Sequence, residues 1–138
     1  MKDQMKILVP YDGSSPAKNA VTEAIGLAKK FDGSIAMLHV HWDIGSTTAY
    51  DGTEVRDQVS IKLFEDVETE LKGSGVKYVL HSENDPNPPD VILSTAKREK
   101  IDAIVMGSRG IGGARAWLLG SVSSKVAAEA QCPVIIVK

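Results

Sequence analysis

The sequence predicts one α/β domain, doubly wound, with a five-stranded parallel sheet covered by helices on both faces. Three observations predict it. Five short aliphatic runs recur along the 138 residues. Helical periodicity fills each gap between them. Strict polar–apolar alternation is mostly missing from the runs, as expected of strands covered on both faces. The resulting order, βαβαβαβαβ, requires right-handed crossovers that repack helices onto a parallel sheet.

The first run is Lys6 to Pro10 (KILVP). A helix follows, with Ser15 expected as N-cap and Pro16 at the first helical position, where its missing N–H costs nothing. Ala17, Ala20, Val21, Ala24, Ile25 and Ala28 fall at helical spacing, and Asp32-Gly33 ends the pattern. The second run is Ser34 to Val40. A connection from His41 to Thr53 leads to a helix with Val55, Val59, Leu63, Val67 and Leu71 on one stripe, stopped by Gly73 and Gly75. That connection is longer than usual and is expected to be functional or mobile. The third run is Lys77 to His81. Its helix begins near Asn87-Pro88 and carries Val91, Ile92, Thr95 and Ala96. The fourth run, Ala103 to Gly107, precedes a glycine-rich stretch and a helix opening near Gly120-Ser121, with Val122, Val126 and Ala130; Pro133 ends it. The last run is Val134 to Val137.

The length suits a single domain over 1–138. A net charge of −2, with basic residues scattered, points to no polyanion partner. The one local cluster, Lys97, Arg98 and Lys100, reads as a solvated helix end rather than a nucleic-acid contact. The single cysteine, Cys132, cannot close an internal disulfide and reads as a small core residue. No apolar run approaches the roughly 20 residues of a membrane span, and MKDQMKILVP lacks the features of a signal peptide. A cytoplasmic location, away from any membrane, is expected.

In open sheets of this type, ligands bind beyond the carboxyl ends of the strands where strand order reverses. The candidate segments are therefore Pro10-Tyr11-Asp12-Gly13-Ser14, Val40-His41-Trp42 and Gly107-Ser108-Arg109-Gly110. The glycines at 107, 110, 112 and 113 predict a backbone that approaches a ligand closely and takes positive φ. Gly120-Ser121 opens a helix, whose unpaired N–H groups and partial positive charge favour phosphate. Ser121 and Ser123 add hydroxyls that could donate or ligate magnesium. Known phosphate motifs do not fit. Gly107 and Gly112 have the P-loop glycine spacing, but Gly113 stands where the lysine belongs. Gly110-x-Gly112 is followed by Arg115, and after the fourth strand rather than the first, so the dinucleotide fingerprint fails too.

What matches is Gly-x2-Gly-x9-Gly-[Ser/Thr], here Gly107, Gly110, Gly120 and Ser121. With ILVPYDGS at the start, LHV at Leu38 to Val40, IDAIVMGSRGIGG, and LLGSVSSKVAAEAQCPVIIVK at the end, the chain resembles the ATP-binding subgroup of the universal stress protein family along its whole length. Asn84-Asp85-Pro86 stands where relatives often carry Gly-Asp-Pro. The resemblance implies a Rossmann-like sheet of order 3-2-1-4-5 with four helices. It implies adenine and ribose near Pro10, Tyr11, Asp12, Val40, Met106 and Gly107, with Val40 holding the base edge by its backbone. Phosphates would lie along Gly110, Gly120, Ser121, Val122 and Ser123, with Arg109 nearby. The implied ligand is ATP, or AMP or ADP, with magnesium or manganese held through phosphate oxygens and no metal site of its own.

Plainer readings stand beside these. Asp12 can be a strand-end turn residue, and Arg109 a solvated loop arginine. His39 reads as packed and His41 as exposed, since a metal would need both on one face and a third ligand; His81 reads as structural. Trp42 can stack on a base or shield the loop, and Trp117 can cover the phosphate loop or a partner. Ser14, Ser15 and Ser108 read as caps and turns. No histidine is placed to activate Ser121 as a nucleophile, so no catalytic residue is assigned. The last strand has no helix after it, and an open edge at Val134–Val137 invites a two-fold homodimer, which the family resemblance also implies. The functional expectation is a nucleotide-binding regulator with an unnamed protein partner. The alternatives are a slow ATPase or related nucleotide-processing enzyme, and an interaction protein that binds no ATP.

Overall fold

The first strand, β1 (Lys6–Pro10), carries Ile7, Leu8 and Val9 without exposed surface. Three successive buried residues need cover on both faces of a strand, because neighbouring side chains point to opposite sides. The computed structural model describes residues 4–42, 53–110 and 119–138, with the backbone alone for 53–58. After β1 come α1 (Ser15–Lys30), β2 (Ser34–His41), α2 (Thr53–Ser74), β3 (Lys77–Asn84), α3 (Pro88–Arg98), β4 (Ala103–Gly107), α4 (Ser121–Glu129) and β5 (Val134–Val137). All described strand pairs are parallel, in the order β3-β2-β1-β4-β5.

Side-chain parity divides the core. Ile7, Val9, Ile35, Met37 and Val105 face α1 and α2, where Ala20, Ala24, Phe64 and Leu71 meet them. Leu8, Leu38, Ile104 and Met106 face α3 and α4, against Ile92 and Val126. Each such side chain, fully buried, contributes about 1.5–3 kcal/mol relative to exposure. Among the described residues, no helix is long and apolar enough to cross a membrane.

Several boundaries differ from the sequence expectation. Ser14, not Ser15, is the N-cap of α1: its Oγ accepts the Ala17 N–H at 3.3 Å, and Ser15 is already helical. The strands β2 and β3 run on to His41 and Asn84, because their parallel pairing continues past the apolar runs through polar residues. The helix α2 passes through Gly73 and stops at Gly75, whose φ is +76°. Asp85, rather than Asn84, makes the turn into α3 by accepting the Asn87 N–H at 2.8 Å. Cover on both faces fails at the sheet edge. Along β3, exposed Lys77, Val79, His81 and Glu83 alternate with half-buried Tyr78, Leu80, Ser82 and Asn84. On the other edge, Ile135 of β5 is exposed. The connection at 43–52, Gly112, Gly113, Arg115 and Trp117 lie outside the described residues, as does the side chain of Val55.

Among the described residues, two buried hydroxyls have no hydrogen-bond partner, those of Tyr11 and Thr95. Thr95 Oγ1 is buried under α3 and unpaired. Thr95→Val keeps the shape and removes the unsatisfied group, so it is expected to stabilise the fold by about 1 kcal/mol, read as a higher urea midpoint at unchanged slope.

Candidate functional site

Strand order reverses beside β1, with β2 and β3 on one side and β4 and β5 on the other. The chain leaves β1 and β4 there towards opposite faces, and a cleft of about 480 Å³ opens at their carboxyl ends. All twelve residues expected from the sequence line it. Pro10, Tyr11 and Asp12 come from the end of β1, Val40 from β2, Met106 and Gly107 from β4. Arg109 and Gly110 follow β4, and Gly120, Ser121, Val122 and Ser123 open α4. Four further lining residues, Ala17, Leu38, Pro88 and Ile92, escaped the sequence reading, and Ser14, inside the candidate segment after β1 but read as a cap or turn, lines it too. Leu38 lies two before Val40 and so shares its face, a signal the period of a strand does carry.

The cleft has two chemically distinct walls. Leu38, Val40, Ile92 and Met106 make an apolar one, an extension of the α3/α4 core. The other is backbone. Gly120 is an N-cap without a side-chain hydrogen bond, and the first helical bond runs from the Ser124 N–H to the Gly120 carbonyl at 2.9 Å. The amides of Ser121, Val122 and Ser123 therefore precede the helical ladder, where a helix presents donors and partial positive charge. Among the described residues lining the cleft, Asp12 and Arg109 are the charged ones.

Val40 supplies backbone groups at the apolar end. The Leu38 carbonyl accepts the Tyr11 N–H at 2.8 Å, and Pro10, the last β1 residue, pairs with Leu38. Residues two apart in a strand direct their backbone groups to the same neighbour, so Val40 directs its N–H and C=O beyond the end of β1. The next carbonyl, of His41, points to the other side and accepts the Asp85 N–H at 2.8 Å.

The loops are tied together by short bonds. The Ser108 N–H donates to the Val137 carbonyl and the Ser108 carbonyl accepts the Gly120 N–H, both at 2.7 Å. Ser123 Oγ donates to the carbonyls of Ser108 at 2.7 Å and Gly120 at 3.1 Å. Its one proton is thus engaged within the protein and not offered to a ligand, whereas Ser121 is exposed. Asp12 Oδ1 accepts the Ser14 N–H at 2.9 Å, the turn bond its plainer reading called for. Ser14 Oγ reaches the Arg109 carbonyl at 3.5 Å.

The motif glycines act by close approach, not by positive φ. A Cβ at Gly107 would stand 2.8 Å from Ala17 N, and one at Gly110 2.5 Å from Asp12 Oδ2. At Gly120, φ is −68° and a Cβ would stand 3.0 Å from Arg109 Cα. Among the described glycines, positive φ belongs to Gly13 and Gly75.

Tyr11 borders the cleft, yet its ring packs in the α1/α2 core, stacked on Phe64 at 5.9 Å. Its hydroxyl is buried without a partner, and burial, reinforced by Asp66 and Asp12, pushes the phenol up to about 12. His39 and His41 share one face of β2 with their rings stacked at 5.2 Å. His41 is half-buried rather than exposed, because Ser82 holds its Nε2 at 3.3 Å. No third metal ligand joins the pair among the described residues. Cys132 is half-buried against the α3/α4 core, and burial pushes its thiol up. Trp42 is exposed.

The family model for the universal stress protein family matches residues 5–138. Universal stress protein YxiE of Bacillus subtilis is 34% identical, over 96% of this chain and 98% of that protein. Universal stress protein UspA from Lactobacillus plantarum superposes with a TM-score of 0.77 at 26% identity, covering 100% of both chains. A universal stress protein family protein from Arabidopsis thaliana, solved with AMP bound, has a TM-score of 0.70 and 26% identity over 97% of this chain and 91% of that one. Strand order, cleft and similarity along nearly the whole chain lead to one assignment: the chain belongs to the universal stress protein family.

Proposed function

We propose that the cleft binds an adenine nucleotide, ATP foremost, and that the protein is a regulatory binding module rather than an enzyme. The observation that carries this is the side-chain-free amide turn opening α4, set in the same cleft as an apolar wall with Val40's backbone at its end. The amides of 121–123 would take phosphate oxygens, with the exposed Ser121 hydroxyl and Arg109 beside them. Leu38, Val40, Ile92 and Met106 would sandwich the base, and Pro10, Asp12 and Gly107 would border the ribose. Gly110 leaves room at the Asp12 carboxylate. Tyr11 would shape this end from the core behind it. Magnesium or manganese would ride on phosphate oxygens. The volume falls within the usual 300–1,000 Å³ of small-molecule pockets, and the AMP of the Arabidopsis relative supports the ligand class.

The reading extends to one domain over 1–138, a cytoplasmic setting, an unidentified protein partner, and a homodimer through β5, an open sheet edge in the described structure. Equilibrium dialysis with labelled ATP, with and without magnesium, tests the core of it. Micromolar binding is expected, and no binding at millimolar ATP would refute it in favour of a partner-binding protein. Turnover that scales with protein and disappears in Gly120→Val would make it an ATPase instead.

Base choice gives a second expected result. One N–H and one C=O of Val40 complement N1 and N6 of adenine, whereas guanine presents N1–H and O6 in the opposite sense. An unmet pair costs about 1–3 kcal/mol, so GTP should bind at least about tenfold more weakly than ATP in competition dialysis.

A further inference from the structure

On the face of β2 opposite the cleft lies a polar chain, buried at His39 and Ser60 and half-buried at Ser82 and His41, outside the proposed nucleotide site. His39 Nδ1 meets Ser60 Oγ at 2.9 Å, Ser60 Oγ meets Ser82 Oγ at 2.6 Å, and Ser82 Oγ meets His41 Nε2 at 3.3 Å. It links three elements, β2, α2 and β3. Within residues 59–63, at the start of the side-chain-described part of α2, Ser60 is the buried residue, while Val59 and Ile61 are 54% and 51% exposed. Among the side chains described in α2, Leu63 packs partly buried against the core and Phe64 is the first fully buried apolar residue. Ser60 ties residues 59–63 of α2 to the sheet, directly through His39 and by way of Ser82 to His41.

Hydrogen counting makes this contact sensitive to protonation. Three contacts need three hydrogens. Two come from the serine hydroxyls and the third from one imidazole N–H, so the other imidazole must accept through a lone pair. With both rings protonated, both end atoms are donors and four hydrogens face three contacts, so one contact breaks. The stacked rings would also bring two positive charges about one ring separation apart. Among the groups facing His39, the Asp12 carboxylate favours its cation, while burial and His41 oppose it. From β3 the chain is met by Ser82, and from α2 by Ser60 and by Phe64, whose ring lies edge-on to His39. Asp66 of α2 acts on Tyr11.

We propose that His39, Ser60, Ser82 and His41 form an acid-sensitive clasp: the neutral imidazoles hold the turn of α2 around Ser60 on the β2–β3 edge, and their protonation loosens it. Acidification thereby opens a segment carrying the exposed Val59 and Ile61, which gives the fold a response to pH separate from nucleotide.

Hydrogen exchange by mass spectrometry on the full chain without nucleotide tests it. Between about pH 7 and 4.5, after correction for intrinsic rates, protection over residues 59–67 is expected to fall about tenfold or more, with α1 changing far less. His39→Gln, which keeps a hydrogen bond to Ser60 but does not titrate, is expected to flatten that response. An equal fall in α1 and α2, or an undiminished fall in His39→Gln, overturns the clasp. Wild-type NMR titration of the three histidines decides independently of any variant's folding. One ring staying neutral at about pH 5 supports the proposal, and three rings all titrating like free imidazole overturn it.

Discussion

Gly120→Val is expected to weaken ATP binding by about a hundredfold or more while leaving the domain folded, and Gly107→Val is expected to do the reverse damage, to the fold itself. The two glycines share one motif, but their surroundings differ. At Gly120 the backbone, φ −68° and ψ 163°, suits any residue. A Cβ there would stand 3.0 Å from Arg109 Cα and 3.4 Å from Arg109 Cβ. Arg109 belongs to a half-exposed loop, which can yield a few tenths of an ångström. In doing so it carries Arg109 and Gly110 out of register with the amides of 121–123, and the valine methyls add bulk beside those amides. Charge-assisted hydrogen bonds are worth about 1.5–3 kcal/mol each, so losing two costs at least about 3 kcal/mol, or more than a hundredfold. At Gly107 a Cβ would stand 2.8 Å from Ala17 N and 2.9 Å from Pro16 C and Cβ. That is the backbone of the first turn of α1, which cannot move without leaving β4, so a loss of about 3 kcal/mol or more is expected. Gly26→Ala, on the exposed side of α1 with nothing within 4 Å, is the control and should stabilise by about 0.5–1 kcal/mol. Urea unfolding and ATP dialysis on the three variants separate the effects. Unchanged ATP affinity in Gly120→Val would remove α4 from the site.

The same glycines show what was legible in the sequence. Their spacing pointed to the carboxyl edge of the sheet because alternating periodicity predicts a parallel, doubly wound sheet, whereas the strand order itself came from the family resemblance. Their reason for being glycine was not legible. It depends on which backbone passes close by: α1 at Gly107, Asp12 at Gly110 and Arg109 at Gly120. The apolar wall was half legible. Val40 and Met106 sit at strand ends, where ligand contacts are sought, but Pro88 and Ile92 reach the cleft from α3, across a contact of high sequence separation. The histidines fall in the same category. Their spacing of two puts them on one face, and that much a strand dictates. The half-buried state of His41 needs Ser82 from the neighbouring strand, whose register with β2 is fixed only by folding. The edge strand β3 misled for a related reason: its run reads as apolar, yet among the described residues no helix covers its outer face, and Val79 is exposed.

Acid is expected to destabilise the fold over a window set by His39. Its residue is 8% exposed, and burial lowers its pKa from 6.5 to about 4, with His41 acting in the same direction and Asp12 partly opposing. In the unfolded chain the ring takes up its proton near pH 6.5, but in the folded chain only near pH 4. Between these values the unfolded state binds more protons, so the free energy of unfolding rises with pH. The stabilising preference for neutral His39 is thus fully present above about pH 6.5, is lost progressively as pH falls towards 4, and is constant below that. A shift of this size is worth roughly 3 kcal/mol, a large share of the 5–15 kcal/mol that holds an ordinary domain together. Urea midpoints measured from pH 7.5 down to 4 should show this loss in the wild type. Carboxylates also titrate towards the lower end, so the decisive quantity is the difference from His39→Gln, which lacks the histidine contribution and should show a shallower decline between pH 6.5 and 5. Parallel declines in the two proteins would mean that His39 protonates as readily in the folded chain as in the unfolded one, and that its burial between Phe64 and His41 places no constraint on its charge.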